Sequence, residues 1–263
     1  MTTLTNDSLL AVADRLGVQT LPLVLAVGPQ QDTFDAWQAA RDAAVAELTA
    51  TGVFDTYGDV EPGLADALSI LAQPDAELVA RCYGDDERRR ICVARRGAGH
   101  AGAVRSGDTF DISTSTVEGS NSELARLLLA ALPHRAPAEV SGVSVAADDL
   151  AARLDAAETT SQYVDALYSL GISAHRATVL GAAFGSCHGY TEIVAAVHHD
   201  GLTTRAPGAV AVYDTARGRI VVAPMTAPDG QVWSTITPGT DHRLTQAVGA
   251  LLEGLPGGGW RPD

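Results

Sequence analysis

The sequence predicts an α+β protein made of two related halves, and three observations predict it. First, residues 107–133 and 230–256 echo each other without a gap, 123 positions apart. Gly107, Thr114, Leu128, Leu129, Leu132 and Pro133 recur as Gly230, Thr237, Leu251, Leu252, Leu255 and Pro256. Phe110 is answered by Trp233, and Glu123 by Gln246. Second, these six identities in 27 positions fall on one succession of elements: turn glycine, strand, loop, amphipathic helix, Leu-Pro stop. Third, helical and extended patterns are segregated, which marks α+β architecture rather than alternating α/β. Two halves facing each other across a pseudo-two-fold axis offer a broad shared surface, which favours a binding role.

Each element has its own signal. Residues 5–16 read as an opening helix, with Leu9, Leu10, Val12, Ala13 and Leu16 on one face and Gly17 ending it. Residues 21–27 read as a short strand with a proline near its start. Asp32 is placed to cap a long helix running to residue 51, with Phe34, Trp37, Ala44 and Leu48 near helical spacing and Gly52 as its stop. Glu61, Pro62 and Gly63 lead into a helix over 64–72, closed by Pro74. From Asp75 the period changes, and 77–83, 89–95, 100–105 and 108–114 read as strands separated by hairpin punctuation. A helix over 120–132 closes this half. The second half opens with helices at 146–157, 161–170 and 173–183, followed by strands at 190–199, 208–213, 219–224 and 231–237. A final helix over 241–255 carries Leu244, Ala247, Val248, Leu251, Leu252 and Leu255 on one face. The chain is thus expected to form a single domain over 1–263, with pseudo-repeat halves 1–133 and 146–263 joined by a linker near 134–145. Inward-facing strand residues are not assigned, because a one-residue slip exchanges the two faces of a strand.

Composition excludes several function classes. A chain of 263 residues buries a sizeable core, and 46% hydrophobic with 19% charged residues is ordinary for a soluble globular protein. The apolar runs are too short to span a bilayer, and the N-terminus lacks a signal-peptide pattern, so a cytosolic location is expected. The net charge is −14, and all 18 basic residues are arginine. That field repels phosphate backbones and anionic lipid, which disfavours nucleic acid and membrane partners. The absence of lysine removes Schiff-base chemistry and Walker-type phosphate loops. Cys82, Cys92 and Cys187 have no metal-like spacing and fit free thiols.

No catalytic constellation emerges. The segment 97–102 spells a dinucleotide fingerprint, but residues 104–111 read as strand and turn, so no helix N-terminus is there to hold a pyrophosphate. Cys187-His188 and His198-His199 are adjacent pairs that point to opposite faces of a strand, so neither is a ready chelate. Ser186 stands one position too early for a nucleophile elbow. Asp85-Asp86 and Asp148-Asp149 read as a turn and a helix start rather than paired acids. The arginines at 88–90, 95 and 96 are either local charge compensation or a patch for an acidic partner. No enzyme activity, cofactor or metal is expected.

Several stretches carry a resemblance. They are 191–198 (TEIVAAVH), 207–221 (PGAVAVYDTARGRIV), 236–240 (ITPGT) and 251–256 (LLEGLP), with 10–16 (LAVADRL), 95–100 (RRGAGH), Gly52-Val53 and Glu61-Pro62 in the first half. In this order the chain resembles the EspG family, secretion-associated proteins of the ESX (type VII) systems of actinobacteria. The resemblance implies a central antiparallel sheet flanked by two helical bundles with quasi-two-fold symmetry. It also implies a cytosolic chaperone that holds the apolar helical tip of the PPE subunit in PE–PPE heterodimers and matches it to one ESX system. The family's binding surfaces map onto Gly84, Asp85, Asp86 and Arg88 of the first hairpin. They map further onto Tyr190, Glu192 and His198 of a strand, and onto Tyr163, Tyr168 and Leu170 of the second-half helices. Tyr163 and Tyr168 serve equally as ordinary helix packing or as interface anchors. A chaperone for another helical-hairpin substrate and an enzyme are the competing readings. Self-association of the unbound protein is left open.

Overall fold

The computed structural model describes residues 1–84, 88–115, 120–256 and 260. The elements in chain order are β1 (Thr2–Thr5), α1 (Asn6–Arg15), a 3-10 turn (Leu23–Leu25), α2 (Phe34–Ala50) and α3 (Pro62–Ala72). The first meander comes next as β2 (Ala76–Gly84), β3 (Arg89–Arg96), β4 (Gly99–Ser106) and β5 (Thr109–Ser115), closed by α4 (Asn121–Ala131). Then come β6 (Val143–Ala146), α5 (Ala147–Asp155), α6 (Thr160–Ser169) and α7 (Ala174–Phe184). The second meander is β7 (Cys187–His199), β8 (Leu202–Arg205), β9 (Val210–Thr215), β10 (Gly218–Thr226) and β11 (Val232–Pro238), closed by α8 (Asp241–Glu253).

Side-chain capping sets most helix starts, α5 and α7 excepted. Ser120 with Glu123, and Thr159 with Gln162, form capping boxes, and the Glu61 carboxylate accepts the N–H groups of Gly63 and Leu64. The cap of α2 is Thr33 rather than Asp32, because the Thr33 hydroxyl accepts the Ala36 N–H. Residues 21–27 do not form the expected strand. Local Leu25 N–H to Pro22 and Ala26 N–H to Leu23 bonds close a 3-10 turn there. Its carbonyls are taken by side chains: Arg90 donates to the Val24 oxygen at 3.2 Å and Arg105 to that of Leu25 at 2.8 Å.

The strands form one antiparallel sheet in the order β1-β5-β4-β3-β2-β7-β9-β10-β11-β6, with β8 paired to the end of β7. From the central β2–β7 pair outward, each half contributes four meander strands, β8 standing off this path, and then the short strand that precedes its first bundle. The stretch expected as a linker supplies one of these, β6, and Pro137 forms a further bridge to Arg219. One face of the sheet carries α4 and α8, which pack on each other over Leu78, Ile91, Val93, Ile193, Val212 and Val221. The opposite face carries two separate helical layers. One, with α1, α2 and α3, covers Cys92, Ala103, Phe110 and Ile112. The other, with α5, α6 and α7, covers Ile220, Val222 and Ile236.

The strand register refines the echo. In the helices the 123-residue offset keeps equivalent faces, since Leu128 and Leu251 lie in the same core. In the strands it slips by one. Phe110 is buried under the first bundle, whereas Trp233 alternates with Ile236 and lies on the α8 face. By pairing position Ile112, opposite Thr2, corresponds to Ile236, opposite Val143.

Two buried polar pairs occupy matching places. Arg95 faces His100 across β3–β4, and Asp214 faces Arg219 across β9–β10. Each is strapped by the segment beyond the other half's closing helix. Arg219 donates to the Pro133 carbonyl at 2.8 Å, and the Trp260 indole N–H donates to His100 Nε2 at 3.1 Å. Arg219 also grips Asp214 through two bonds, of 2.6 and 2.9 Å.

Candidate functional site

The site is built where the halves meet. On the bundle side, α3 and the 3-10 turn lie over β3–β5, while α5 and α7 lie over β11 and β9. The 3-10 turn also reaches β2, and Val79 and Val194 pack into the first bundle's core; toward their Tyr83 and Tyr190 ends the central strands β2 and β7 open between the layers. Strand alternation sends Glu77, Val79, Arg81 and Tyr83 of β2 toward this gap, beside Ala196, Val194, Glu192 and Tyr190 of β7, their direct partners.

The register makes an aromatic row across three strands. Tyr83 pairs with Tyr190, and Tyr190 with Tyr213. Tyr83 and Tyr190 stack with centroids 6.3 Å apart, and Tyr190 and Tyr213 tilt together at 5.1 Å. The row continues into the second bundle, where Phe184 meets Tyr213 edge-on at 5.0 Å and Tyr163 packs on Phe184 at 6.2 Å. Burial falls along this ladder toward Tyr83, which is 49% exposed. Burial, then the Glu192 carboxylate, pushes the Tyr190 phenol above its ordinary value. Burial, then Tyr190, raises Tyr213 as well. These phenols therefore stay protonated at neutral pH and offer rigid apolar faces with polar tips, the character of interface anchors.

Polar groups flank the ladder. Arg81 Nη1 stands 3.5 Å from Glu192 Oε2, both side chains partly exposed. At the far end of the strip, the His198 ring approaches Glu77 at 3.4 Å through Nε2 and Thr203 Oγ1 at 3.0 Å through Nδ1. The Nε2 approach lacks hydrogen-bond alignment, so the Thr203 contact is the one that holds the ring. At the near end, a cavity of about 320 Å³ opens between Cys82, Tyr83, Gly84, Arg89, Pro133 and Tyr190. Burial raises the Cys82 thiol, which fits packing rather than nucleophilic use.

A sequence model described as the EspG family matches residues 5–250. The chain belongs to the EspG family. EspG1, an ESX-1 secretion-associated protein of Mycobacterium tuberculosis, is 32% identical over 260 residues, covering 97% of this chain and 88% of that protein. EspG3, an ESX-3 secretion-associated protein of Mycolicibacterium smegmatis, is 31% identical over 99% of this chain and 89% of that protein. The fold is that of a solved EspG5, the type VII secretion system chaperone of M. tuberculosis in complex with a PE25–PPE41 dimer. The TM-score is 0.79 at 23% identity, covering 99% of this chain and 98% of that one.

Within this EspG-family chain, the residues expected at the site divide into three groups. Tyr190, Glu192 and His198 share the bundle-side face of β7, and Tyr163 joins them through Phe184 and Tyr213. Tyr168 is 62% exposed on α6, away from the ladder's contacts, while Leu170 packs into the second bundle's core. Gly84 ends β2 against Gly189, and Arg88 is exposed just before β3. Asp85 and Asp86 lie outside the described residues. Tyr83, Arg81, Tyr213 and Phe184 complete the site and escaped sequence reading. A one-residue ambiguity in strand register hid which side of β2 and β9 they face, although Tyr and Arg on central strands were a usable signal. Other cavities lie elsewhere: about 220 Å³ between α1 and α2 at Leu10 and Trp37, and about 440 Å³ outboard of α8 at Met225 and Ala250. Among the described residues no three His, Cys, Asp or Glu side chains gather as a metal site, and no helix is long and apolar enough to cross a membrane.

Proposed function

We propose that this protein is a cytosolic specificity chaperone. It binds the apolar helical tip of the PPE subunit in PE–PPE heterodimers, keeps the pair soluble and directs it to an ESX type VII secretion system. The observation that carries the reading is the half-exposed aromatic row Tyr83–Tyr190 on the central strands, flanked on both sides by helical layers. An exposed apolar tip is an aggregation liability, and an aromatic floor between two walls covers it. Membership of the EspG family supports the same reading, as does the solved EspG5, whose partner is a PE25–PPE41 dimer. The chain acts by binding rather than by catalysis. The halves 1–133 and 146–263, which we take to be related by an approximate two-fold axis, each lend one strand to the floor, so the site belongs to neither alone.

The test is co-expression with the PE–PPE pairs of the source genome and co-purification through a tag on the chaperone. A stable complex with at least one pair is expected. Tyr190→Ser removes a central aromatic and is expected to weaken it by about 2 kcal/mol or more, as loss of an interface hot spot does. Failure of every pair to co-purify overturns the reading.

A further inference from the structure

We propose that the Arg81–Glu192 ion pair is the polarity filter of the docking floor, selecting a helical tip with an acidic or amide side chain set beside its apolar anchor. This deepens the function proposed above and rests on it. Arg81 and Glu192 are direct partners on β2 and β7, with apolar Val79 and Val194 on one side and Tyr83 and Tyr190 on the other. A charged pair thus stands between the two apolar rows of the strip, apart from the Glu77–His198 contact at its far end.

The pair is poor as a device for stability. Its separation is 3.5 Å, and the side chains are 42% and 36% exposed. Pairs so exposed contribute about 0–1 kcal/mol. The neighbouring arginines in the same cross-strand row have structural work. Arg90, opposite Arg81, donates to the Val24 carbonyl, and Arg105, opposite Arg90, donates to those of Leu25 and Gly107. Where those two hold backbone carbonyls, Arg81 meets a carboxylate, and that carboxylate faces the same gap.

A tip docked over Tyr83 and Tyr190 removes water from this pair. Desolvated charges are costly unless the arriving surface completes their hydrogen bonds. A wholly apolar tip leaves the guanidinium N–H groups and the second carboxylate oxygen unmet. A tip with an acidic or amide oxygen over Arg81 satisfies them. Discrimination then comes from the penalty on the wrong partner, which is how desolvated polar groups confer specificity.

The test uses the full chain and a PE–PPE pair that co-purifies with it. Arg81→Glu combined with Glu192→Arg keeps an ion pair and reverses its direction, with retained folding checked by thermal melting. Affinity for that PE–PPE pair is expected to fall about thirty-fold or more, as misaligned buried charges do at interfaces. Arg81→Leu combined with Glu192→Leu is expected to bind a PE–PPE pair whose tip has its acidic and amide residues replaced by Leu at least as tightly as the unaltered pair. Equal binding of the unaltered pair by wild type and the exchanged variant overturns the filter. Failure of wild type to bind any PE–PPE pair overturns instead the function on which the filter rests.

Discussion

Replacing Gly181 by alanine should destabilise this protein, although the same change in the interior of a solvent-facing helix stabilises. Gly181 lies in α7 where it crosses α6. An alanine Cβ there would stand 2.7 Å from the Val164 amide nitrogen, 2.9 Å from its Cα and 2.5 Å from its Cγ2. Two of these are backbone atoms, so no rotamer change relieves them. Restoring an ordinary contact of 3.4 Å requires α6 to withdraw by about 0.7 Å. Overpacking of this kind costs about 1–3 kcal/mol, and the helix propensity gained from alanine returns at most about 1 kcal/mol. The net loss is about 0–2 kcal/mol, toward the upper end because two of the short contacts are to backbone atoms, and each kcal/mol lowers Tm by about 2–4 °C in a chain of this size. Tyr163 precedes Val164, so the withdrawal also loosens its packing on Phe184 and, on the function proposed above, should weaken PE–PPE binding. The control is Gly249→Ala in α8, where the nearest atom is Asn121 Cβ at 3.9 Å. That variant should gain about 0.4–1 kcal/mol. Thermal melting of both proteins, monitored by circular dichroism, checks the pair. A Gly181→Ala variant that melts at or above wild type refutes the close-packing argument.

Other sites give further expected outcomes. Asp214→Asn leaves Arg219 buried without its counter-charge and should cost about 3–5 kcal/mol in denaturant melts, whereas Asp214→Leu combined with Arg219→Met should cost less. Burial, then Arg95, holds His100 below its ordinary 6.5, so the folded state favours the neutral ring that accepts the Trp260 N–H. The unfolded chain takes up the proton first. Stability is therefore complete above pH 6.5 and falls as pH drops through that value, and His100→Gln should flatten this slope in melts at pH 7.5 and 5.5. Tyr168→Ala, at an exposed position, should change stability by less than about 0.5 kcal/mol; a loss of PE–PPE affinity would place Tyr168 in the interface and unchanged affinity would exclude it.

Much of the fold was legible because each meander strand is bounded by turn residues and each closing helix is amphipathic. The extents of β5 and β11 keep the 123-residue offset read from the sequence. Residues 2–5 and 143–146 were missed as strands because four residues carry too little alternation to stand out. Residues 21–27 looked extended because local composition cannot reveal that Arg90 and Arg105 would claim their carbonyls. At the site, Tyr190, Glu192 and His198 were named through the family resemblance, and the structure puts them on one face because they alternate along β7. Tyr83 and Tyr213 were not, because only cross-strand register brings them beside Tyr190.

The reciprocal straps have a consequence for how the chain is made. His100 waits for Trp260, 160 positions later, and Pro133 for Arg219, 86 positions later. As the polypeptide leaves the ribosome, the first meander emerges with one polar pair uncapped and the β2 edge without β7. An open strand edge of that kind invites pairing with any other chain nearby. Contacts so distant in sequence also slow folding. On the function proposed above, a protein that shields another's sticky surface therefore passes through a stage in which its own newly synthesised half needs shielding, and neither half expressed alone should serve as a smaller version of it.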